Sequence, residues 1–427
     1  MDEFYLHFIW QYQLFDKSLL KTTDGEKITI IKPGFPHQDS GPDFLECKIK
    51  VGQITWNGKI EIHVKASDWL LHRHNEDAAY DDVILHVVWH HDHEVKRRDG
   101  SIIPVLELKS RLDQYSYQNY RNLVGGLDEI PCTPFLDKIP AVILHQMMDR
   151  ALVQRMESKT DRVFEILRQT KGDWNETAYR LLARNFGFKI NEQPFEMLSR
   201  FVPYRIIRKH YLQPHQVEAL LFGMGGFLEE SFRDPYGVMI RQEFHYLMRK
   251  YLLPSKAMIR AQWKFLRLRP ANFPTIRISQ FANLLAFRQN FFTIFKDEED
   301  LPAIIQLFRV RQTQYWTTHY LFDKKSSGKV SAMGKTAAET IVLNTVVPLL
   351  MAYAKYSDQQ IYFDKAMSLL EKMSSEKNKI INLWAKRNIQ SKNAFESQGL
   401  MGLFYQYCNP KRCLACGVGL SVVNNSQ

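Results

Sequence analysis

The sequence predicts an α+β protein. An N-terminal αβββαβ domain, residues 1–125, precedes a larger, mostly α-helical basic region, 140–405, and a cysteine-containing C-terminal knuckle, 406–427. Two observations carry this division. Up to residue 110, runs of alternating apolar and polar residues are bracketed by helical patterns, whereas past residue 140 apolar residues recur at helical spacing almost throughout. The charge divides at the same place: residues 1–110 hold 13 Lys+Arg against 18 Asp+Glu, and the remainder holds 44 against 28, so the net charge of +11 comes entirely from the second part. A chain of 427 residues accommodates two or three domains at ~100–200 residues each.

In chain order, Phe4, Phe8, Tyr12 and Phe15 recur at helical spacing and predict an amphipathic helix over about 3–20, ended by Thr22 to Gly25. KITII reads as a strand and PGFPHQDSGP as a loop. FLECKIKV is the next strand, followed by a turn at Gly52 and a long strand, ITWNGKIEIHVK, interrupted at Asn57-Gly58. Ser67 or Asp68 caps a helix running to about Tyr80, VILHVVW is a buried strand, and IIPVLEL is one more. Beyond residue 140, stretches such as HQMMDRALVQRMESKTDRVFEILRQ are helical, with proline-marked joints near 203, 254, 270 and 302.

The hairpin at 41–69 carries groups a plain hairpin does not need. Strand side chains alternate, so Glu61, His63 and Lys65 share one face while Ile60, Ile62 and Val64 take the core side. Folding symmetrically about Gly52 sets Asp43 opposite Glu61 with Cβ atoms ~5 Å apart, and a bulge at Asn57-Gly58 would shift this by one residue. Two like charges so placed repel, and a divalent cation between them offsets the repulsion.

Pro42-Asp43 heading one strand and Glu61-x-His63 in the next, within the order αβββαβ, resemble the PD-(D/E)xK nuclease superfamily. The resemblance implies that Asp43 and Glu61 hold Mg or Mn and that a lysine stabilises the attacked phosphate. Here His63 occupies the lysine slot, with Lys65 two residues further on the same face. Glu3 in the first helix offers another acidic ligand. The wider stretch GPDF…WNGKIEIHVKASDWLLHRHNEDAAYDDVILHVVW also resembles an uncharacterised bacterial family known only as a domain of unknown function, a similarity that extends through RPANFPTIRI and to the C-terminal cysteines.

Nine of the 14 histidines fall before residue 94. They permit a rival His/Asp/Glu site for Zn, Mn or Fe. His72 and His74, two apart, do not share a helix face, so the expected role for His72, His74 and Asp77 is to support the ligands or to donate to phosphate, and His90 to His93 reads as an exposed turn. Cys408, Cys413 and Cys416 in CNPKRCLACGVG place a CxxC pair and a third thiol around one tetrahedral ion such as Zn, with Cys132 or a histidine as fourth ligand, and the nuclease resemblance implies a cysteine-bound Fe–S cluster as the other occupant. In RAQWKFLRLRPANFPTIRI, Arg260, Lys264 and Arg267 follow helical spacing, with Arg269 and Arg277 flanking, a pattern suited to tracking phosphates. SGKVSAMGKT fails as a P-loop, since five residues separate Gly328 from Gly334 and no strand precedes it. GMGGF at 223–227 sits in a helical pattern and reads as close packing.

The opening MDEFYLHFIWQYQLFD is acidic and amphipathic where a secretory signal would be basic and then apolar. IVLNTVVPLLMAYA, broken by Asn344 and Pro348, falls short of the ~18 residues a membrane span needs. A cytoplasmic location follows as the expectation, and five cysteines fit thiols or metal ligands better than a disulfide framework. The expected function is metal-dependent phosphodiester hydrolysis of nucleic acid. The alternatives are a non-catalytic nucleic-acid- or protein-binding scaffold of the same fold, and a hydrolase using the histidine-rich site on another phosphorylated substrate.

Overall fold

The computed structural model describes residues 1–37, 40–254 and 258–424. It divides into two compact units, Met1–Met147 with Phe404–Gln427, and Met148–Leu403. The C-terminal segment, expected as a separate knuckle, thus belongs with the N-terminal domain.

The first unit is α+β. Its elements are α1 (Glu3–Tyr12), β1 (Ile28–Lys32), β2 (Phe35–Pro36), β3 (Phe44–Val51), β4 (Ile54–Lys65), α2 (Asp68–Leu71), β5 (Val83–His90), β6 (Val105–Glu107) and α3 (Gln114–Gly125). One mixed sheet runs β1-β3-β4-β5-β6, with β2 added to β3. β3 pairs antiparallel with β1, β2 and β4, whereas β4–β5 and β5–β6 are parallel. β5 is buried over Val83–Val88, the continuous burial expected of a parallel strand covered on both faces. Part of the loop PGFPHQDSGP, residues 38–39, lies outside the described residues.

The predicted pairing of 43 with 61 is reached by two offsets that cancel. The turn has two residues, Gly52 and Gln53, so Val51 pairs with Ile54, one step off symmetry about Gly52. A bulge in β3 between Phe44 and Cys47 restores the step, and Phe44 faces Ile60. The bulge falls at Glu46, whose φ is +55°, and not at Asn57-Gly58. β4 is continuous there; a Cβ on Gly58 would lie 2.4 Å from the Asp82 carbonyl oxygen, so the glycine serves a close backbone approach.

Two helices are shorter than expected. α1 stops at Tyr12 because Gln13 turns left-handed, φ +54°. Its buried stripe is Tyr5, Leu6, Phe8, Ile9 and Trp10, while Phe4 and Tyr12 are exposed, so the i, i+4 line of aromatics only skirts the true face. α2 stops at Leu71, and Arg73, φ +58°, reverses the chain.

The second unit is mostly helical around a core that includes Tyr179, Phe186, Phe195, Phe222, Phe281 and Trp316. Asn344 and Pro348 do not break their helix. A helical run, Lys335–Ser357, passes through a π segment at Val342–Val346, which accommodates the proline. The Asn344 amide donates to Thr340 O at 2.9 Å. The run is long and apolar enough to cross a membrane, and 72% of its most apolar window is buried inside the protein.

A non-glycine residue in the left-handed region costs about 1–2 kcal/mol. Both Glu46→Gly and Glu46→Val lose the exposed Lys32–Glu46 pair at 2.7 Å. Urea denaturation should therefore find the glycine variant more stable than the valine variant by about 1–2 kcal/mol.

Candidate metal centre

β4 turns Glu61 and His63 to one face, and the parallel register sets His86 of β5 beside Glu61. All three are buried. Asp43, at the head of β3, meets Glu61 as the register requires: its N–H donates to Glu61 Oε2 at 3.1 Å, and its Oδ2 accepts from Ile62 N–H at 2.9 Å. α1 contributes Glu3 and His7, four residues apart on one helix face, and His7 Nε2 lies 3.2 Å from Asp43 Oδ2.

The chain reversal at Arg73 overturns the expectation for the histidines after β4. On a helix His72 and His74 would diverge, but the left-handed residue between them brings both to His63. One ligand nitrogen from each of His63, His72 and His74 lies within 4.8 Å of the other two. His63 Nε2 is 3.1 Å from His72 Nδ1, and Glu61 Oε1 is 3.2 Å from His74 Nε2 and 3.5 Å from His63 Nε2. His63 Nδ1 is 2.8 Å from His86 Nε2, a contact that fixes the ring from behind and aims Nε2 into the cluster. Tyr80 stacks on His74 with ring centroids 3.7 Å apart.

Burial, then repulsion from Asp43, raises the Glu61 carboxyl to about 9. Burial, then the neighbouring His74 and His72, lowers His63 to about 3. Burial also depresses His74 and, more strongly, His86. Burial opposes charge on His7 as well, but the Asp43 carboxylate 3.2 Å away outweighs it and raises its pKa. Glu3 is raised, chiefly by burial. Near neutral pH His63, His74 and His86 are therefore neutral, and Glu61 holds its proton unless a cation displaces it. His74 Nε2 is buried and, although close to Glu61, makes no hydrogen bond; His86 Nδ1 is likewise buried without one. Such orphaned atoms are rare in a settled interior, and convergent nitrogen and oxygen donors suit a divalent transition ion.

The remaining predicted residues fall elsewhere. Lys65 is exposed at the end of β4, its backbone N–H donating to Asp68 Oδ2 at 2.9 Å and its charge acting on Asp92. Asp77 accepts from Ala79 N–H at 2.8 Å as the cap of a 3₁₀ turn. Residues 260–269 form no long helix: Arg260–Gln262 is a 3₁₀ turn and Arg267 is left-handed, φ +63°, whereas Arg277 lies in the helix Pro274–Phe287. Trp263 is buried, its indole donating to Gly225 O at 2.8 Å. Arg260, Lys264, Arg267 and Arg269 are exposed. Arg277 is buried, bonded to Gln280 and Asn272 with its guanidinium 4.3 Å from the Phe188 ring centroid, so it serves the interior. His7 and His86 were missed as site members, although the Glu3/His7 spacing and a lone histidine inside VILHVVW were their signals.

Between the ordinary carboxyl value of 4.5 and about 9, the folded state holds a proton on Glu61 that the unfolded chain releases, so metal-free stability falls as pH rises through that window. The depressed histidines act oppositely: the unfolded chain takes up their protons below about 6.5, and stability falls as pH drops. Thermal denaturation across pH should show a maximum between these limits. Glu61→Gln should remove the alkaline decline, worth up to about 1.4 kcal/mol per pH unit, and with it most of the stabilisation by added Mn²⁺ or Zn²⁺.

No curated protein and no solved structure matches the chain. A family described as "Protein of unknown function (DUF2851)" matches residues 3–379, which takes in both the sheet and most of the helical unit and stops before Cys408, Cys413 and Cys416. With most of its length inside that match, the chain belongs to the DUF2851 family of proteins of unknown function.

Proposed function

We propose that this protein is a metal-dependent hydrolase of phosphodiesters, with nucleic acid as the substrate class. The observation that carries the reading is the buried Glu61 carboxylate facing three convergent imidazoles, with the Asp43–His7 pair beside it. The order α1, β1, β2, β3, β4, α2, β5, in which β2 is a two-residue addition to β3, with Asp43 heading β3 and Glu61 within β4, supports the nuclease-like part of the proposal. Charge supports the substrate class: the helical unit, residues 148–403, carries 39 Lys+Arg against 24 Asp+Glu.

Glu61 with His63, His72 and His74 would hold a divalent ion, which when bound would supply an acidified water and offset charge at phosphorus. Three nitrogens make Mn²⁺ or Zn²⁺ a better match than the Mg²⁺ that oxygen ligands alone would favour. As the water attacks, its proton passes to solvent and a new O–P bond forms; the P–O bond to the leaving group breaks and takes a proton from His7. Asp43 orients His7 and holds it protonated. His63 is a ligand in this scheme, and His7 replaces the missing lysine as the cation nearest the phosphate.

Cleavage of single- and double-stranded DNA and RNA should be measured with Mn²⁺, Zn²⁺ and Mg²⁺. Glu61→Ala and Asp43→Ala should each lower the rate by at least about 10²-fold, as should His7→Gln. Cleavage that persists in both carboxylate variants overturns the proposal, and metal-independent binding without cleavage favours the non-catalytic scaffold.

A further inference from the structure

All five cysteines lie in the first unit and are buried, and four of them, Cys132, Cys408, Cys413 and Cys416, lie outside the sheet. The fifth, Cys47, is in β3, where its thiol donates to Pro33 O at 3.2 Å. Cys132 and Cys408 are 276 positions apart and lie on either side of the segment that forms the helical unit.

The backbone around the three C-terminal cysteines is tightly turned. Lys411, φ +53°, donates its N–H to Cys408 O at 3.0 Å, and Arg412 N–H donates to Tyr407 O at 2.8 Å. Cys413–Ala415 forms a 3₁₀ turn, and Cys416 N–H donates to Cys413 O at 3.1 Å, which folds the CxxC onto a single knuckle. A Cβ on Gly419 would come 2.2 Å from Cys413 O, so the following helix can close over the knuckle only with glycine there.

The same knuckle is fastened to the segment that carries Cys132. The Lys411 ammonium donates to Val124 O at 2.6 Å and Gly126 O at 3.2 Å, at the end of α3. Asn119 of α3 donates to Val422 O at 3.2 Å. Cys132 follows a few residues later, in a turn closed by Thr133 N–H to Ile130 O at 3.0 Å. The thiols act on one another: burial first, then Cys132, Cys416 and Cys413, push Cys408 well above its usual value, and burial, then Cys416, pushes Cys413 to about 11. Four buried cysteines on two segments fastened to one another offer sulfur ligands to a single thiophilic centre.

We propose that Cys132, Cys408, Cys413 and Cys416 form a four-thiolate site for a thiophilic metal centre, one Zn²⁺ or one Fe–S cluster, that clasps the two chain segments flanking the helical unit. Four cysteines with a CxxC pair suit either tetrahedral zinc or a cluster. The centre is separate from the histidine site and independent of any hydrolysis. Its role is structural: the clasp closes a loop of 276 positions and adds the free energy of metal binding to the pairing of chain ends.

The test is elemental analysis of the full chain purified anaerobically, in a Glu61→Ala background so that metal at the histidine site is not counted. The expected result is one zinc per chain, or iron with equal inorganic sulfide and a visible absorption band that dithionite bleaches. Cys132→Ser should lose most of that metal, as should Cys413→Ser, while Cys47→Ser keeps all of it. Should the serine variants fail to fold, titrating the otherwise unaltered protein with a mercurial should release the metal in step with thiol modification. Neither zinc nor iron at stoichiometric level, full metal content in Cys132→Ser, or recovery of these cysteines as disulfides would overturn the proposal.

Discussion

The first unit is organised around the burial of one carboxylate. Glu61 sits inside the sheet face, and the charged neighbours that act on it, Asp43, His7 and Glu3, include no lysine or arginine. An uncompensated buried charge costs several kcal/mol, so the group must either hold a proton or receive a cation. Every nearby element bears on that choice. β3 sets a second carboxylate opposite, β5 sets a histidine alongside, and the turn after α2 folds two more imidazoles over the top. Burial keeps His63, His74 and His86 neutral, so the same desolvation that protonates Glu61 leaves these neighbours with lone pairs for a metal.

The convergence depends on local irregularities more than on regular elements. The left-handed Glu46 corrects the hairpin by one residue, and without it the face bearing Asp43 would slip relative to Glu61. The left-handed Arg73 converts a helix into a reversal, and without it His72 and His74 would point apart. Both positions carry long polar side chains in a conformation that favours glycine. Two unfavourable backbone states that serve one cluster are the pattern expected when geometry is retained for a site.

In the helical unit, net charge and usable surface are different quantities. Glu196 is gripped by Arg162, Arg184 and Arg200, and Arg277 is spent on interior hydrogen bonds and an aromatic face. Part of the basicity therefore holds helices together. The exposed residues at 260–269 keep their charge but not the regular spacing of a helix, because Trp263 is drawn into the core and the chain around it must bend.

Strand pattern, by itself, determined much of the first unit: FLECKIKV and ITWNGKIEIHVK form strands with the predicted bounds, and alternation placed Glu61 with His63. The pairing of Asp43 with Glu61 was not settled by the turn: the two-residue turn alone leaves the hairpin one residue off, and the bulge at Glu46 restores it. The extent of α1 and α2, the fate of Lys65 and the meeting of His63, His72 and His74 were decided only in three dimensions. The physical reason is common to all of them. Periodicity reports which way a side chain points on a regular element, but a single residue of reversed φ leaves almost no mark on periodicity and redirects everything after it. The partnership of Glu61 with His86, and of the C-terminal knuckle with the end of α3, likewise depends on which segments pack together, and local sequence does not encode that choice.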